Sequence, residues 1–196
     1  MKLKFACFTI IVFALLAVSC QNSDTYTPKP KGYFRISYPA KEYRPFISNA
    51  PFTFKYPVYA TMELDKKRGA KKDWYNLHFN AFNGFLHLTY YNVLGSKEYD
   101  EMVEDARKLA FKHTIKATAI DQKIINYPDR KVYGVYYAID GNTASSVQFF
   151  LTDSAKHYFR GALYFNERPQ YDSIQPVVKF IKTDIDTLIS TFRWKN

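Results

Sequence analysis

The stretch WYNLHFNAFNGFLHLTYY, Trp74 to Tyr91, decides the fold. Both halves alternate apolar and polar residues with period two, which puts every second side chain on one face of a strand. Between them, Asn83-Gly84 is a favoured pair for a two-residue hairpin turn, because both residues tolerate positive φ. Counting outward from that turn sets Phe82 opposite Phe85, Ala81 opposite Leu86, Asn80 opposite His87 and Phe79 opposite Leu88. One face then carries Leu77, Phe79, Ala81, Leu86, Leu88 and Tyr90, and the other Asn76, His78, Asn80, His87 and Thr89. A hairpin with one apolar face is not stable alone, so the rest of the chain must widen it into a sheet and cover it.

Upstream, Lys66, Lys67, Arg68, Lys71 and Lys72 crowd around Gly69, and mutual repulsion makes this an exposed loop. Before it, Pro51 to Pro57 (PFTFKYP) reads as a short strand that Val58 to Leu64 continue, and Tyr33 to Tyr38 alternate as an earlier strand. Downstream, Ser96 caps a helix with Glu98, Asp100 and Glu101 in its first turn. Its apolar stripe is Tyr99, Met102, Val103, Ala106, Leu109, Ala110 and His113.

Ala117 to Asn126, Lys131 to Ile139, Ser145 to Thr152 and His157 to Phe165 follow as strands separated by turn residues. A last helix starts near Asp172-Ser173, with Pro176 in its first turn, and presents Ile174, Val177, Val178, Ile181, Ile185, Leu188 and Phe192 on one side. This order predicts an α+β fold, an antiparallel β-sheet with packed helices. The chain's 17 Tyr and 17 Phe supply the core material, each burying on the order of 150–250 Å².

At the N-terminus, Lys2 and Lys4 precede an uncharged apolar run from Phe5 to Val18 that ends at Ser19-Cys20. That run falls short of the roughly 20 residues a bilayer span needs and suits an export signal. The small residue before Cys20 makes it a lipoprotein signal, although Ala17 stands where Leu is commonest. The expected organisation is residues 1–19 as a cleaved signal peptide, 20–31 as a lipidated cysteine and polar tether, and 32–196 as one globular domain. With Cys7 removed and Cys20 acylated, no thiol is left for a disulfide. Loss of Lys2 and Lys4 takes two charges from the formal +10 and leaves the chain basic. In an exported protein that excess suits anionic headgroups, acidic glycans or an acidic protein partner. No RNP motif, zinc finger or dense basic helix points to nucleic acid.

Four stretches carry a family resemblance: PKPKGYFRISYP (Pro28 to Pro39), PFTFKYPVYA (Pro51 to Ala60), FKHTIKATAI (Phe111 to Ile120) and the long segment from Val132 to Asn166. They resemble the gliding-motility lipoprotein GldD family. The resemblance implies a cell-envelope lipoprotein required for gliding motility and linked to type IX secretion. Its implied partners are a membrane, held through the N-terminal lipid, and other gliding and secretion proteins. It supplies no catalytic residues. The order of elements is also similar to the PsbP-like fold, an α/β/α sandwich.

The chemistry-bearing residues are sparse. His78 and His87 share a face of the hairpin, but zinc needs a third or fourth ligand, and no Cys, Asp or Glu alternates onto that face. His113 caps or packs at a helix end, and His157 sits beside a turn. No G-x-S-x-G, P-loop, G-x-G-x-x-G or H-E-x-x-H pattern occurs. The reading is therefore a non-enzyme with no catalytic, cofactor-binding or metal residues, lipidation at Cys20, and partner contacts at Tyr33, Phe34, Arg35 and Arg160, aromatic and Arg types enriched at interfaces. The alternative is an envelope binding module for an acidic glycan or small ligand.

Overall fold

Alternation along the chain builds a seven-stranded antiparallel sheet in the computed structural model, which describes residues 35–166 and 171–195. The strands are β1 (Tyr43–Pro45), β2 (Phe52–Thr53), β3 (Lys55–Pro57), β4 (Thr61–Leu64), β5 (Tyr75–Phe79), β6 (Gly84–Asn92), β7 (Ala117–Tyr127), β8 (Val132–Gly141), β9 (Ser145–Thr152), β10 (His157–Phe165) and β11 (Arg193–Trp194). The helices are α1 (Ser96–Phe111) and α2 (Tyr171–Thr191). The chain divides into two units, Met1–Ile36 and Ser37–Asn196. Of the first, only Arg35 and Ile36 are described, and neither lies in a helix or strand. Among the described residues no helix is long and apolar enough to cross a membrane.

The main sheet runs β4-β5-β6-β10-β9-β8-β7. Two meanders, β4 to β6 and β7 to β10, join where β6 pairs with β10, and α1 carries the chain between them. One face packs on α2 through Ile181, Ile185, Leu188 and Ile189, with Phe52, Phe159 and Phe192 fully buried in the same cluster. The ring centroids of Phe159 lie 4.8 Å from Phe52 and 5.0 Å from Phe192. The other face packs on α1 through Ala106 and Ala110 against Tyr137, Ile139, Phe150 and Tyr158. The expected α+β class, antiparallel sheet and both helical stripes are present.

The hairpin keeps its expected faces and loses its expected register. Phe79 pairs with Gly84, Leu77 with Leu86 and Asn76 with His87. Residues Asn80–Phe82 form a 3-10 turn and Asn83 takes a left-handed conformation (φ 49°), so a four-residue loop replaces the two-residue turn. The displacement is even, and an even shift returns each side chain to its own face; Ala81 and Asn80 simply leave the ladder. Gly84 serves close packing, since a Cβ there would meet the Phe165 ring at 3.0 Å.

Other expectations need correction. Arg35 to Tyr38 form no strand; Pro39 cannot donate to a ladder, and Tyr38 is held by ring contact with Phe180 at 4.5 Å. Val58 to Leu64 do not continue the preceding strand. The chain turns at Pro57, with Ala60 N–H donating to Pro57 O, and Thr61–Leu64 joins the main sheet beside β5. Ser96 is the first residue of α1, and Gly95 takes the cap position; Glu98 instead accepts from Leu94 N–H at 2.6 Å. Pro176 lies inside α2 because the helix already runs from Tyr171.

Candidate functional site

The segments that close one end of the sheet bring five Lys and Arg side chains together. The Ser48–Pro51 connection, the 3-10 turn Pro128–Arg130, the β9–β10 turn and the C-terminal β11 border a cleft of about 1040 Å³. Arg130, Lys131, Lys156, Arg193 and Lys195 line it, against Asp129 and Asp153. Long-range pairing places them, since β11 docks on β2 with Trp194 opposite Phe52, and Trp194 Nε1 donates to Lys131 O at 3.0 Å. Lys195 N–H donates to Pro51 O at 2.9 Å and its Nζ to Ser48 O at 2.7 Å.

Within this cleft one acid, Asp153, is committed to the fold. Asp153 Oδ1 accepts from the backbone N–H groups of Ala155, Lys156 and His157 at 2.8–3.0 Å. Burial alone would raise its carboxyl, but these donors outweigh it and hold the group below the ordinary carboxylate value. Asp129 lies 3.6 Å from Arg130 Nε. The Arg130 side chain is 9% exposed, sits over the Tyr127 ring at 3.9 Å, donates through Nη1 to Ser190 O, and leaves Nε without a hydrogen-bond partner. His157 stacks on Trp194 at 5.1 Å, and its Nδ1 is 2.7 Å from Tyr90 Oη. The cleft can hold an anion. It presents no nucleophile coupled to a free base.

The other three histidines fall elsewhere. His87 Nδ1 lies 2.8 Å from Asn76 Oδ1 and 3.8 Å from Asp65, while His78 Nε2 is 3.8 Å from Glu63. The two carboxylates therefore do reach this face, one from β4 and one from the residue just after it. Even so, among the described residues no three His, Cys, Asp or Glu converge as metal ligands. His113 Nε2 meets Gln148 Nε2 at 3.0 Å. Burial holds both His87 and His113 below the ordinary imidazole value, with Arg160 adding to the effect; Asp65 opposes it at His87.

Of the expected partner contacts, Arg160 is half-buried on the α1 face, donating from Nη2 to Gln148 Oε1 at 2.7 Å. It lines a cleft of about 380 Å³ with Trp74, His87 and Tyr91. Arg35 is exposed. Tyr33, Phe34 and Cys20 lie outside the described residues.

The sequence reading missed the most deeply buried charge among the described residues. Asp184, on the packed side of α2 and 2% exposed, accepts from Tyr43 Oη at 2.9 Å and from Tyr59 Oη, and pairs with Lys41 Nζ at 2.7 Å. Lys41 also donates to Phe180 O at 2.8 Å. Both Asp184 oxygens are occupied, so the cluster staples the β1 region to α2. The signal available was an Asp spaced onto an apolar helical stripe, which needs a buried partner.

The profile of the gliding motility lipoprotein GldD family matches residues 23–194. The chain belongs to this family. As a GldD-family protein it is a gliding-motility-associated lipoprotein of the cell envelope, held at a membrane. No curated protein matches the chain. Among solved structures it is similar to the solution structure of cyanobacterial PsbP (CyanoP) from Synechocystis, at 10% identity and a TM-score of 0.48, with 82% of this chain and 97% of that chain covered.

Proposed function

We propose that this protein is a non-catalytic assembly or stabilising factor, required for gliding motility and for the linked type IX secretion machinery. In this reading Cys20 carries the lipid after residues 1–19 are removed, 20–31 form the tether, and the domain from residue 32 faces the periplasm. Tyr33, Phe34 and Arg35 beside the tether, and Arg160, contact partners. The observation that carries it is the cationic cleft, where Asp153 is held by backbone donors and Asp129 pairs with Arg130, leaving Lys131, Lys156, Arg193 and Lys195 to meet an acidic segment of a machinery protein.

The same lining favours a second reading, a binding module for an acidic glycan or other small anion. Crosslinking and affinity recovery from solubilised membranes separate the two. A scaffold recovers machinery proteins, and Lys131→Glu with Lys156→Glu, or Arg35→Glu, lowers that recovery while membrane anchoring persists. A ligand module recovers glycan and no machinery protein. A folded, normally anchored His157→Gln variant that stops gliding with partner recovery intact would overturn the non-catalytic assignment.

A further inference from the structure

The β7 strand ends the main sheet, and among the described residues no strand pairs with its outer edge over Ala117–Tyr127. Such an edge presents a row of unpaired N–H and C=O groups, and proteins usually blunt it with short strands, charge, proline or a bulge. The opposite edge obeys this, since β4 is only four residues long. β7 has eleven residues, one bulge near its start between Ala117 and Ala119, and an Ile124 that is 79% exposed.

The residues of this edge are symmetric about Gln122. Asp121 and Lys123 flank it directly, and Ile120 and Ile124 flank them. The register with β8 sets Ile120, Gln122 and Ile124 opposite Ile139, Tyr137 and Val135, on the α1 face, with Asp121 and Lys123 on the α2 face. Suppose a second β7 lies antiparallel against this edge across a two-fold axis normal to the sheet through Gln122. Asp121 then faces Lys123 of the second copy, and Lys123 faces its Asp121. On the other face, Ile120 and Ile124 of the two copies pair. Directly opposite residues share a face, so the axis must pass through a residue. Moving it one residue either way sets Asp121 against Asp121, or Lys123 against Lys123.

We propose that the protein pairs with a second copy of itself through β7, antiparallel and centred on Gln122, joining the two sheets into one. Charge complementarity selects both the occupant and the register. Confinement of both lipoproteins to one membrane raises their effective concentration, so an interface of one strand suffices.

The test is sedimentation of the full-length lipoprotein in density-matched detergent over a range of concentrations. Wild type should show a monomer–dimer equilibrium. Asp121→Lys and Lys123→Asp each place like charges at both symmetric positions and should weaken the dimer on the order of tenfold. The Asp121→Lys/Lys123→Asp exchange restores both pairs and should return affinity to within about threefold of wild type. Both side chains are exposed, so all variants should melt alike. A wild-type chain that stays monomeric, a dimer unaffected by the single reversals, or an exchange variant that stays dissociated would each overturn the proposal.

Discussion

Asp184 shows how one side chain ties distant parts of the chain together. Its carboxylate is 1% exposed and Lys41 supplies its counter-charge. Replacing Lys41 with Met leaves a buried carboxylate without that charge and should cost roughly 3–5 kcal/mol in urea unfolding. Adding Asp184→Leu to Lys41→Met should recover part of the loss, because an apolar pair no longer strands a charge; a double variant less stable than Lys41→Met alone would contradict this account. His87 and His113 make a second residue-level prediction. Both are held below the ordinary 6.5, chiefly by burial. As pH falls below 6.5, the unfolded chain takes up the protons first, so folding stability declines toward the lowered folded values. Thermal melts at about pH 7.5 and about pH 5 should therefore show a larger loss for wild type than for His87→Gln/His113→Gln, and equal losses would refute the assignment. The partners of His87 were hidden in the sequence, since Asp65 lies before the basic loop and reaches β6 only because β4 pairs with β5.

At the scale of elements, the helical stripes and strand alternation were legible because each is a pattern over neighbouring residues. The α2 stripe is the firmest case, with Ile181 fully buried and Ile185 only 1% exposed. Ile181→Asp or Ile185→Asp places an unpaired charge against the sheet and should cost several kcal/mol. Circular dichroism melts check this, and wild-type stability in both variants would mean that α2 does not depend on that contact. The hairpin register was not legible, because Asn83-Gly84 suits two turn types and the choice rests on contacts outside the hairpin. Asn83 O accepts from Asn166 N–H at 2.9 Å, and Gly84 lies against Phe165. Phe165 ends the pairing of β10 with β6, opposite Gly84, and Asn166 follows it, both far along the chain.

For the whole molecule, the proposed function assigns membrane attachment to Cys20 and folding to the domain that follows the tether. Cys20→Ala should move the protein from the detergent phase to the aqueous phase, since stable anchoring takes two or more acyl chains. An unchanged membrane fraction in that variant would refute lipidation at Cys20. The domain should keep its wild-type melting temperature, because its core is assembled from residues between Phe46 and Phe192. The amino-acid sequence by itself determined strands β5 to β10, the faces of the hairpin, the two helices with their apolar stripes, the antiparallel α+β class and the family resemblance, because periodicity and motif are properties of contiguous residues. Only the tertiary structure decided the hairpin register, the pairings of β1 with β3 and of β2 with β11, the Lys41–Asp184 staple and the basic cleft. The staple, the cleft and the β2–β11 pairing join residues far apart in the chain, and the hairpin and β1 have local patterns compatible with several partners until packing selects one.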